Sequence, residues 1–222
     1  MKLTEIVMHL LFPEKCVLCG KLLRKDELDL CRQCRVETPD CPVHRSKYPF
    51  MDSWLAVWYY EGNVRGSMLR YKFHGKRHYA LAYGRFLAMK LQREHPEGFD
   101  LLTWVPVSWL RRLSRGFDQV ELLAQAVGKE LGMEPVGLIK KIRHNKPQSS
   151  IVGQAQRRAN VLGVYRVEDP LQVRGKKILL LDDIITTGAT AGEVSRILLT
   201  AGCSEVHFGA VAAVRHQSKT SR

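Results

Sequence analysis

The chain lacks any run of about eighteen apolar residues, the length that a helix needs to cross a bilayer, so we expect no transmembrane segment. Its first thirteen residues, MKLTEIVMHLLFP, include a short apolar stretch, but Glu5 interrupts it and no small-residue cleavage site follows. We therefore interpret this stretch as an amphipathic helix rather than a signal peptide. The expected location is the cytoplasm, with any attachment to the inner face of the membrane made through partner proteins.

Internal repeats, low-complexity segments and a phosphate-binding GxxxxGK[ST] loop are also absent from the sequence. The nearest approach to that loop, Gly75-Lys76, is followed by Arg77, so the chain is not expected to be a P-loop ATPase. With 222 residues, of which 45% are hydrophobic, the chain is long enough for one α/β domain and a small additional module.

The net charge of +13 is concentrated in the middle of the chain, where residues 101–165 carry ten Lys and Arg against four Asp and Glu. A basic excess of this kind predicts a site for a polyanion, either pyrophosphate or nucleic acid, and the alternative is a solvated basic face. The basic residues on which the excess centres are Arg111, Arg112, Arg115, Lys140, Lys141, Arg143, Lys146, Arg157 and Arg158.

Residues 178–190, ILLLDDIITTGAT, join an apolar run to two adjacent carboxylates and a turn of small residues. The run is too short for a helix and is typical of a central parallel strand, beyond whose carboxyl end ligands bind in α/β proteins. Asp182 and Asp183, which we expect on the loop at that end, can accept hydrogen bonds from a ribose diol or hold Mg²⁺ through water.

The turn that follows the acids is predicted to bind a phosphate. Gly188 can adopt a positive φ, and its small neighbours allow backbone N–H groups to approach a phosphate closely. A helix that begins near Thr190 adds the positive end of its dipole. The alternative is an ordinary strand–loop–helix connection, in which Thr190 and Glu193 form a capping box. The residues predicted to surround the phosphate are Thr186, Thr187, Gly188, Ala189 and Thr190.

Four of the six cysteines form two CxxC pairs that are separated by eleven residues. The two thiolates of one such pair can bind one ion, so two pairs predict a closed tetrahedral zinc site, with a disulfide cluster or a redox pair as alternatives. Gly20 follows the first pair, where a tight turn favours a positive φ. A third pair with the same spacing leaves open whether Cys41 and His44 also bind metal. The predicted zinc ligands are Cys16, Cys19, Cys31 and Cys34.

Apolar patterns along the chain predict strands that alternate with helices, as in an α/β protein with a parallel sheet flanked by helices. Residues 1–50 are predicted to hold a first helix and a small zinc-ribbon-like module, and residues 51–222 are predicted to form the α/β domain. The predicted strands are 54–60, 101–107, 161–167, 178–181 and 206–214, and the predicted helices are 1–13, 64–73, 78–93, 117–131 and 190–200.

The segment after the strand 101–107, SWLRRLSRGFDQVELLA, places three arginines on a loop at the carboxyl edge of the predicted sheet. The guanidinium groups of Arg111, Arg112 and Arg115 offer forked donors that suit the oxygens of a pyrophosphate. Tyr71 and Phe73 alternate with basic residues and could stack on single-stranded nucleic acid, but we favour the interpretation that both pack inward.

The segment 178–190 resembles the motif of type I phosphoribosyltransferases that binds phosphoribosyl pyrophosphate (PRPP). The resemblance implies a phosphoribosyltransferase-like fold, in which Asp182 and Asp183 are the catalytic acids and contact the ribose 2′- and 3′-hydroxyls. It also implies that residues 186–190 hold the 5′-phosphate, and that the pyrophosphate, which arrives with Mg²⁺, is bound by basic residues of the middle segment, Arg157 and Arg158 included.

The cysteine module, the sequence RGFDQ at 115–119, Gln148 and the run 157–160 extend the resemblance to the ComF/GntX family over nearly the whole chain. Asp118 departs from the family pattern, which often has Asn there, and is expected either to weaken pyrophosphate binding or to orient Arg115.

Membership of this family implies PRPP binding and the handling of incoming single-stranded DNA in natural competence, with competence-machinery proteins as further partners. The alternative function is an active phosphoribosyltransferase that moves ribose 5-phosphate from PRPP to an unidentified acceptor. A third is a PRPP-dependent regulator.

Overall fold

The computed structural model describes residues 14–45, 48–143 and 154–215 of the chain, so the helix predicted at 1–13 lies outside the described residues. The strands of the described part are β1 (His44–Arg45), β2 (Ser53–Tyr59), β3 (Leu101–Trp104), β4 (Ile139–Lys141), β5 (Tyr165–Val167), β6 (Lys177–Ile185) and β7 (Glu205–Ala213). Its helices are α1 (Arg32–Glu37), α2 (Gly62–Phe73), α3 (Tyr79–Glu94), α4 (Trp109–Arg115), α5 (Gln119–Leu131), α6 (Gln154–Val161), α7 (Pro170–Val173) and α8 (Ala189–Thr200).

Five of these strands form the main sheet in the order β1-β2-β7-β6-β3. The pairs β2–β7, β7–β6 and β6–β3 are parallel, and β1 adds an antiparallel edge. The strands β4 and β5 form a separate antiparallel pair. The predicted α/β class with a parallel sheet flanked by helices is therefore confirmed.

The central strand β6 is longer than the sequence pattern predicts. Its apolar run, 178–181, is fully buried, as expected of a strand that is covered on both faces. The strand does not end there, because Asp182 pairs with Ala210 and Ile185 pairs with Ala213 of β7. The expectation that both acids lie on a loop is therefore wrong: they belong to the last part of the strand itself.

Two other predicted strands differ clearly from the structure. The strand predicted at 101–107 ends at Trp104, ahead of Pro106, which has no N–H to donate to a ladder. The segment 161–167 is the end of α6 followed by β5, and not one continuous strand. Of the basic residues on which the charge excess centres, Lys140 and Lys141 lie on β4, and Arg157 and Arg158 lie on α6.

Two hydrophobic clusters cover the two faces of the sheet. On one face, α3 and α5 pack on Leu179 and Leu181. These helices approach each other closely, since a Cβ on Gly84 would overlap Ala126. On the other face, Val194 of α8 packs with Leu180. The sheet is thus buried on both sides, and its carboxyl edge remains as the place where polar groups meet.

The cysteine module packs on α2 and α3. Its residues Cys16 to Leu18 belong to the same hydrophobic cluster as the helices of the α/β part. The Ser67 hydroxyl donates to the Val17 carbonyl oxygen, and the Arg70 guanidinium donates to the Leu18 carbonyl oxygen at 2.6 Å. A salt bridge of 2.5 Å joins Arg85 to Asp29. The domain boundary after residue 50 stays a prediction.

Candidate functional site

Asp183 is buried at the carboxyl end of β6, and each of its carboxylate oxygens accepts a hydrogen bond. The Lys72 ammonium donates to Oδ1 at 2.9 Å, and the Gln119 side-chain amide donates to Oδ2 at 3.1 Å. The backbone N–H of Asp183 in turn donates to Oδ1 of Asp182 at 2.7 Å. The two acids are therefore held in fixed positions by partners from β6, α2 and α5.

Burial dominates the electrostatics of this edge. Burial, followed by the charge of Asp183, raises the pKa of Asp182 well above its usual range. Burial also raises the pKa of the Asp118 carboxyl, and burial together with the charge of Asp183 raises the pKa of the Tyr71 hydroxyl. Three carboxyl groups thus share a desolvated region in which Lys72 supplies the positive charge that pairs with Asp183.

The turn after β6 leads directly into α8. Gly188 is the N-cap of α8 and has φ 70°, so the predicted positive φ is confirmed. The capping box of Thr190 and Glu193 is not formed, because the helix begins at Ala189. The Glu193 carboxylate instead accepts from the Gly163 N–H at 3.1 Å and pairs with Arg196 at 2.9 Å. The N-cap of α8 therefore has no side-chain cap hydrogen bond.

An aromatic ring from the segment before β2 covers one side of this turn. The Tyr48 hydroxyl donates to the Thr186 carbonyl oxygen at 3.3 Å. A Cβ on Gly188 would overlap the ring of Tyr48, so the turn can pass beneath the ring only with glycine at that position. Tyr48 is not among the residues predicted for this site.

The arginines predicted to bind pyrophosphate lie on helices. Arg111, Arg112 and Arg115 belong to α4, which Gly116 ends with φ 73°, and not to a loop. The exposed Arg112 lies 3.4 Å from a carboxylate oxygen of Glu121. The side chains of Arg111 and Arg115 lie outside the described part. The same holds for the side chains of Arg157 and Arg158 on α6, and for all of Gln148.

Asp118 caps the amino end of α5. Its carboxylate accepts from the N–H groups of Val120 at 2.9 Å and Glu121 at 3.1 Å, so it is the N-cap of α5. It also accepts from the Val107 N–H at 3.3 Å, which joins the end of the 105–108 segment to the helix. The effect of Asp118 on Arg115 or on pyrophosphate binding stays a prediction.

Lys72 and Gln119 were not predicted as site residues, although both contact the acid pair. Lys72 was noted only as one of the basic residues that alternate with aromatic side chains. Of those aromatic side chains, Tyr71 packs inward as predicted, whereas Phe73 is 61% exposed, so the inward interpretation is wrong for Phe73. The helix α2 therefore turns a buried tyrosine towards the core and Lys72 towards Asp183.

The four predicted zinc ligands converge at the start of the described chain. One ligand atom from each of Cys16, Cys19, Cys31 and Cys34 lies within 4.8 Å of the others. The sulfurs of Cys19 and Cys31 are 3.7 Å apart, close to the roughly 3.8 Å that a tetrahedral site with Zn–S bonds of about 2.3 Å requires. These four side chains can therefore hold one metal ion.

The pKa values of these thiols shift in different directions, since burial raises the pKa of the Cys19 and Cys34 thiols. Burial acts to raise the pKa of the Cys16 thiol, but the N–H groups of Cys19, Cys31 and Leu18 outweigh burial and lower it. Gly20 has φ 78°, as predicted for the turn after the first pair. Among the described side chains, Cys41 is buried apart from this group, and the side chain of His44 lies outside the described part.

Within the part of the chain that the structure describes, no helix is both long and apolar enough to cross a membrane.

Known proteins resemble the chain in sequence. Residues 113–222 match the model of the phosphoribosyl transferase domain. Competence protein ComFC of Streptococcus pneumoniae is 30% identical over 86% of this chain and 96% of that protein. The chain belongs to the ComF family. Further ComF relatives are ComFC of Bacillus subtilis, with 26% identity over 88% of this chain and 82% of the relative, and the DNA utilization protein YhgH of Escherichia coli K12, with 26% identity over 86% of each.

Solved structures are more distant from this ComF chain. The glutamine PRPP amidotransferase of Bacillus subtilis, complexed with ADP and GMP, is 21% identical with a TM-score of 0.42, over 64% of this chain and 30% of that chain. The allosteric regulatory enzyme of purine biosynthesis is 22% identical with a TM-score of 0.41, over 64% of this chain and 29% of that chain. The ComF chain thus spans about a third of the length of these enzymes.

Proposed function

We propose that the protein binds PRPP at the carboxyl end of β6. The observation that supports this best is the order of groups along one strand and turn: Asp182, Asp183 and then the positive-φ Gly188 that precedes α8. The ribose hydroxyls would donate to the two carboxyl groups, and the 5′-phosphate would accept from backbone N–H groups of residues 186–190. Both halves of a ribose 5-phosphate therefore find complementary groups in one short segment.

The pyrophosphate of PRPP would face the basic middle segment. Arg111, Arg112 and Arg115 on α4, with Arg157 and Arg158 on α6, are the proposed polyanion-binding residues. Carboxylate oxygens are ligands that Mg²⁺ prefers, so Asp182 and Asp183 fit Mg²⁺ held through water and the ribose hydroxyls. When bound, Mg²⁺ would neutralise part of the pyrophosphate charge.

The metal of the cysteine cluster is proposed to be structural zinc. Four thiolates that surround one point leave no position open for a substrate, which is the arrangement of structural rather than catalytic zinc sites. Because Cys16 and Cys34 are buried in the cluster that also packs α2, the ion would stabilise the module and the helix that carries Lys72 together.

The proposed cellular role is the handling of single-stranded DNA in natural competence, in the cytoplasm and together with competence-machinery proteins. The names of the relatives support a role in competence or DNA utilization. The net charge of +13 supports a polyanionic partner. DNA lacks the ribose 2′-hydroxyl, so the acid pair would favour PRPP and DNA would bind elsewhere on the basic surface.

The alternative function is phosphoribosyl transfer. The C1–O bond to pyrophosphate would break, a nucleophile would bond to C1, and the pyrophosphate would leave as the Mg²⁺ complex, with arginines stabilising its charge. Release of pyrophosphate from PRPP, measured with a panel of nucleobases and with or without single-stranded DNA, separates the two functions. Absence of release together with salt-sensitive DNA binding would contradict the transferase.

Calorimetric titration with PRPP in the presence of Mg²⁺ tests the proposed site. We expect Asp183→Ala to weaken PRPP binding by about 100-fold or more, because the diol loses an acceptor inside a desolvated site. Asp26→Ala, at an exposed turn of the cysteine module, removes the same chemical group and should bind like the wild type. Equal affinities for wild type and Asp183→Ala would contradict the site.

A further inference from the structure

Lys72 is placed unusually for a lysine. Its side chain is 17% exposed, although lysine is seldom buried without a charged partner. The ammonium lies 2.9 Å from Oδ1 of Asp183, whose side chain is 8% exposed. The two residues are separated by 111 positions in sequence, so the contact forms only when the carboxyl end of α2 packs beside the end of β6.

The surroundings of the pair are rich in acids. The charges of Asp183 and Asp118 act on Asp182 there, and burial raises the pKa of the Asp182 and Asp118 carboxyls. Among the described residues, Lys72 makes the ion pair with this group of acids. A cation in a desolvated region acts more strongly on a neighbouring anion than a cation on an exposed surface does.

The ammonium also has hydrogen-bonding capacity beyond this pair. A lysine ammonium carries three N–H donors, and Asp183 accepts one of them. Gln119 occupies the other oxygen of the same carboxylate from α5, so the carboxylate is fixed from two sides. Lys72 can therefore donate to a second acceptor without leaving Asp183.

The covalent structure of ribose places carbon 1 of a bound ligand near the Lys72 ammonium. Carbon 1 is bonded to carbon 2, whose hydroxyl would lie on the acid pair if the proposed function holds. A charged substituent on carbon 1 would then lie next to the hydroxyl-binding carboxylate and thus beside Lys72. The 5′-phosphate, by contrast, would lie at the N-terminus of α8, on the far side of the ribose.

We infer that Lys72 is a specificity-determining residue, which favours ribose 5-phosphates that carry an anionic substituent on carbon 1 over ribose 5-phosphate itself. It keeps one N–H on Asp183 and donates another to the substituent. This inference rests on the proposed PRPP site and adds to it a cation supplied by α2, apart from the arginines of α4 and α6. The competing interpretation is a purely structural ion pair, which would affect both ligands alike.

Calorimetric titration with PRPP and with ribose 5-phosphate, both in Mg²⁺, separates the two interpretations. The main variant is Lys72→Gln, which keeps an N–H donor for Asp183 and removes the charge. We expect its affinity for PRPP to fall about tenfold or more, as when a charge-assisted hydrogen bond is lost, and its affinity for ribose 5-phosphate to change less than about threefold. Lys76→Gln, an exposed lysine four residues on, is the control and should leave both affinities unchanged.

Each other outcome contradicts a defined part of the argument. Equal losses for the two ligands in Lys72→Gln would overturn the inference and leave the PRPP site standing. Unchanged affinities of Lys72→Gln for both ligands would also overturn the inference and leave the PRPP site standing. A wild-type protein that binds neither ligand would overturn both the site and the inference. If Lys72→Gln does not fold, Lys72→Arg is the variant to test. It retains the positive charge, so we expect it to bind PRPP more tightly than ribose 5-phosphate. If Lys72→Arg loses this preference, the inference is wrong.

Discussion

The four-cysteine cluster and the acid pair are both buried groups of polar side chains, yet they are completed in different ways. All four sulfurs come from residues 16–34, and they surround a single point. The acid pair is completed by Lys72 and Gln119, which lie 111 and 64 positions away from Asp183. A compact local ligand set suits a resident metal ion, whereas an edge assembled from several elements suits a ligand that must enter and leave.

Loss of one sulfur ligand is expected to have the largest effect on the molecule. Cys31→Ser should release the metal ion and lower the free energy of unfolding by more than about 4 kcal/mol, since the bound ion contributes directly to folding. The metal content of the purified protein and its denaturant unfolding measure the two effects. Cys203→Ser, at a buried cysteine outside the cluster, is the matched control and should retain the ion. Unchanged metal content in Cys31→Ser would rule out the proposed zinc site.

Substitutions at the turn that follows the acid pair should affect ligand binding more than stability, in contrast to the loss of a sulfur ligand. Gly188→Ala places a Cβ against the ring of Tyr48 at a φ of 70°. Gly75→Ala introduces the same kind of strain at φ 64°, where no atom lies within 4 Å of the new Cβ. We expect Gly75→Ala to lose about 1–2 kcal/mol of stability, the cost of a left-handed alanine, and Gly188→Ala to lose more, because the overlap with Tyr48 adds to that cost.

The comparison of these two glycines isolates the phosphate turn. PRPP affinity should fall by about tenfold or more in Gly188→Ala, because the N–H groups of the turn shift when Tyr48 and the new methyl group compete for space. In Gly75→Ala the affinity should stay at the wild-type value. The double variant Gly188→Ala with Tyr48→Ala should recover part of the binding. Equal affinities in the two single variants would show that the turn tolerates the shift.

The same contrast explains what could be predicted from the sequence. CxxC spacing predicts the cysteine cluster because its ligands are local, and the apolar run followed by two acids predicts where the sheet edge lies. The strand end was misplaced because its last pairs depend on β7, which the sequence of β6 does not contain. Lys72, Gln119 and Tyr48 were missed since long-range packing brings them to the edge: Tyr48 is 138 positions from Thr186.

Asp118 is a residue for which the sequence motif suggested contacts other than those in the structure. A carboxylate in the segment RGFDQ suggested interplay with arginines, yet its recorded acceptor bonds go to the N–H groups of Val107, Val120 and Glu121. Helix capping by Asp is a local effect, and the sequence pattern is compatible with it. The motif therefore does not by itself assign the contacts that each of its residues makes.

A second cluster of polar side chains lies near the amino ends of β2 and β7, where its members form hydrogen bonds with one another. The Ser53 hydroxyl lies 2.8 Å from Nδ1 of His207 and 3.0 Å from Nε2 of His95. Glu205 lies 2.8 Å from the other ring nitrogen of His207. Glu97 likewise contacts His95 at 3.2 Å and the Lys177 ammonium at 2.6 Å.

At low pH the contribution of His207 in this cluster to the stability of the fold should decrease. Burial lowers the pKa of His207 in the folded chain; the hydrogen bond with Glu205 acts in the opposite direction, and the charges of His95 and Lys177 add smaller lowering effects. The unfolded chain therefore binds a proton more readily, and the contribution of His207 is fully present above about pH 6.5 and is lost as the pH falls below that value. Between pH 7.5 and pH 5.5 we expect His207 to contribute a loss of about 1 kcal/mol in the free energy of unfolding, measured with denaturant as the difference between the wild type and His207→Asn.

His207→Asn keeps a partner for Ser53 and removes the titrating group, so its stability should change less over this pH range than that of the wild type. His74→Asn, at an exposed position after α2, should retain the wild-type pH dependence. PRPP affinity at pH 7.5 should be the same in both variants, because His207 lies at the end of β7 away from the acids of β6. If His207→Asn and the wild type lose equal stability on acidification, the pH response belongs to groups other than His207.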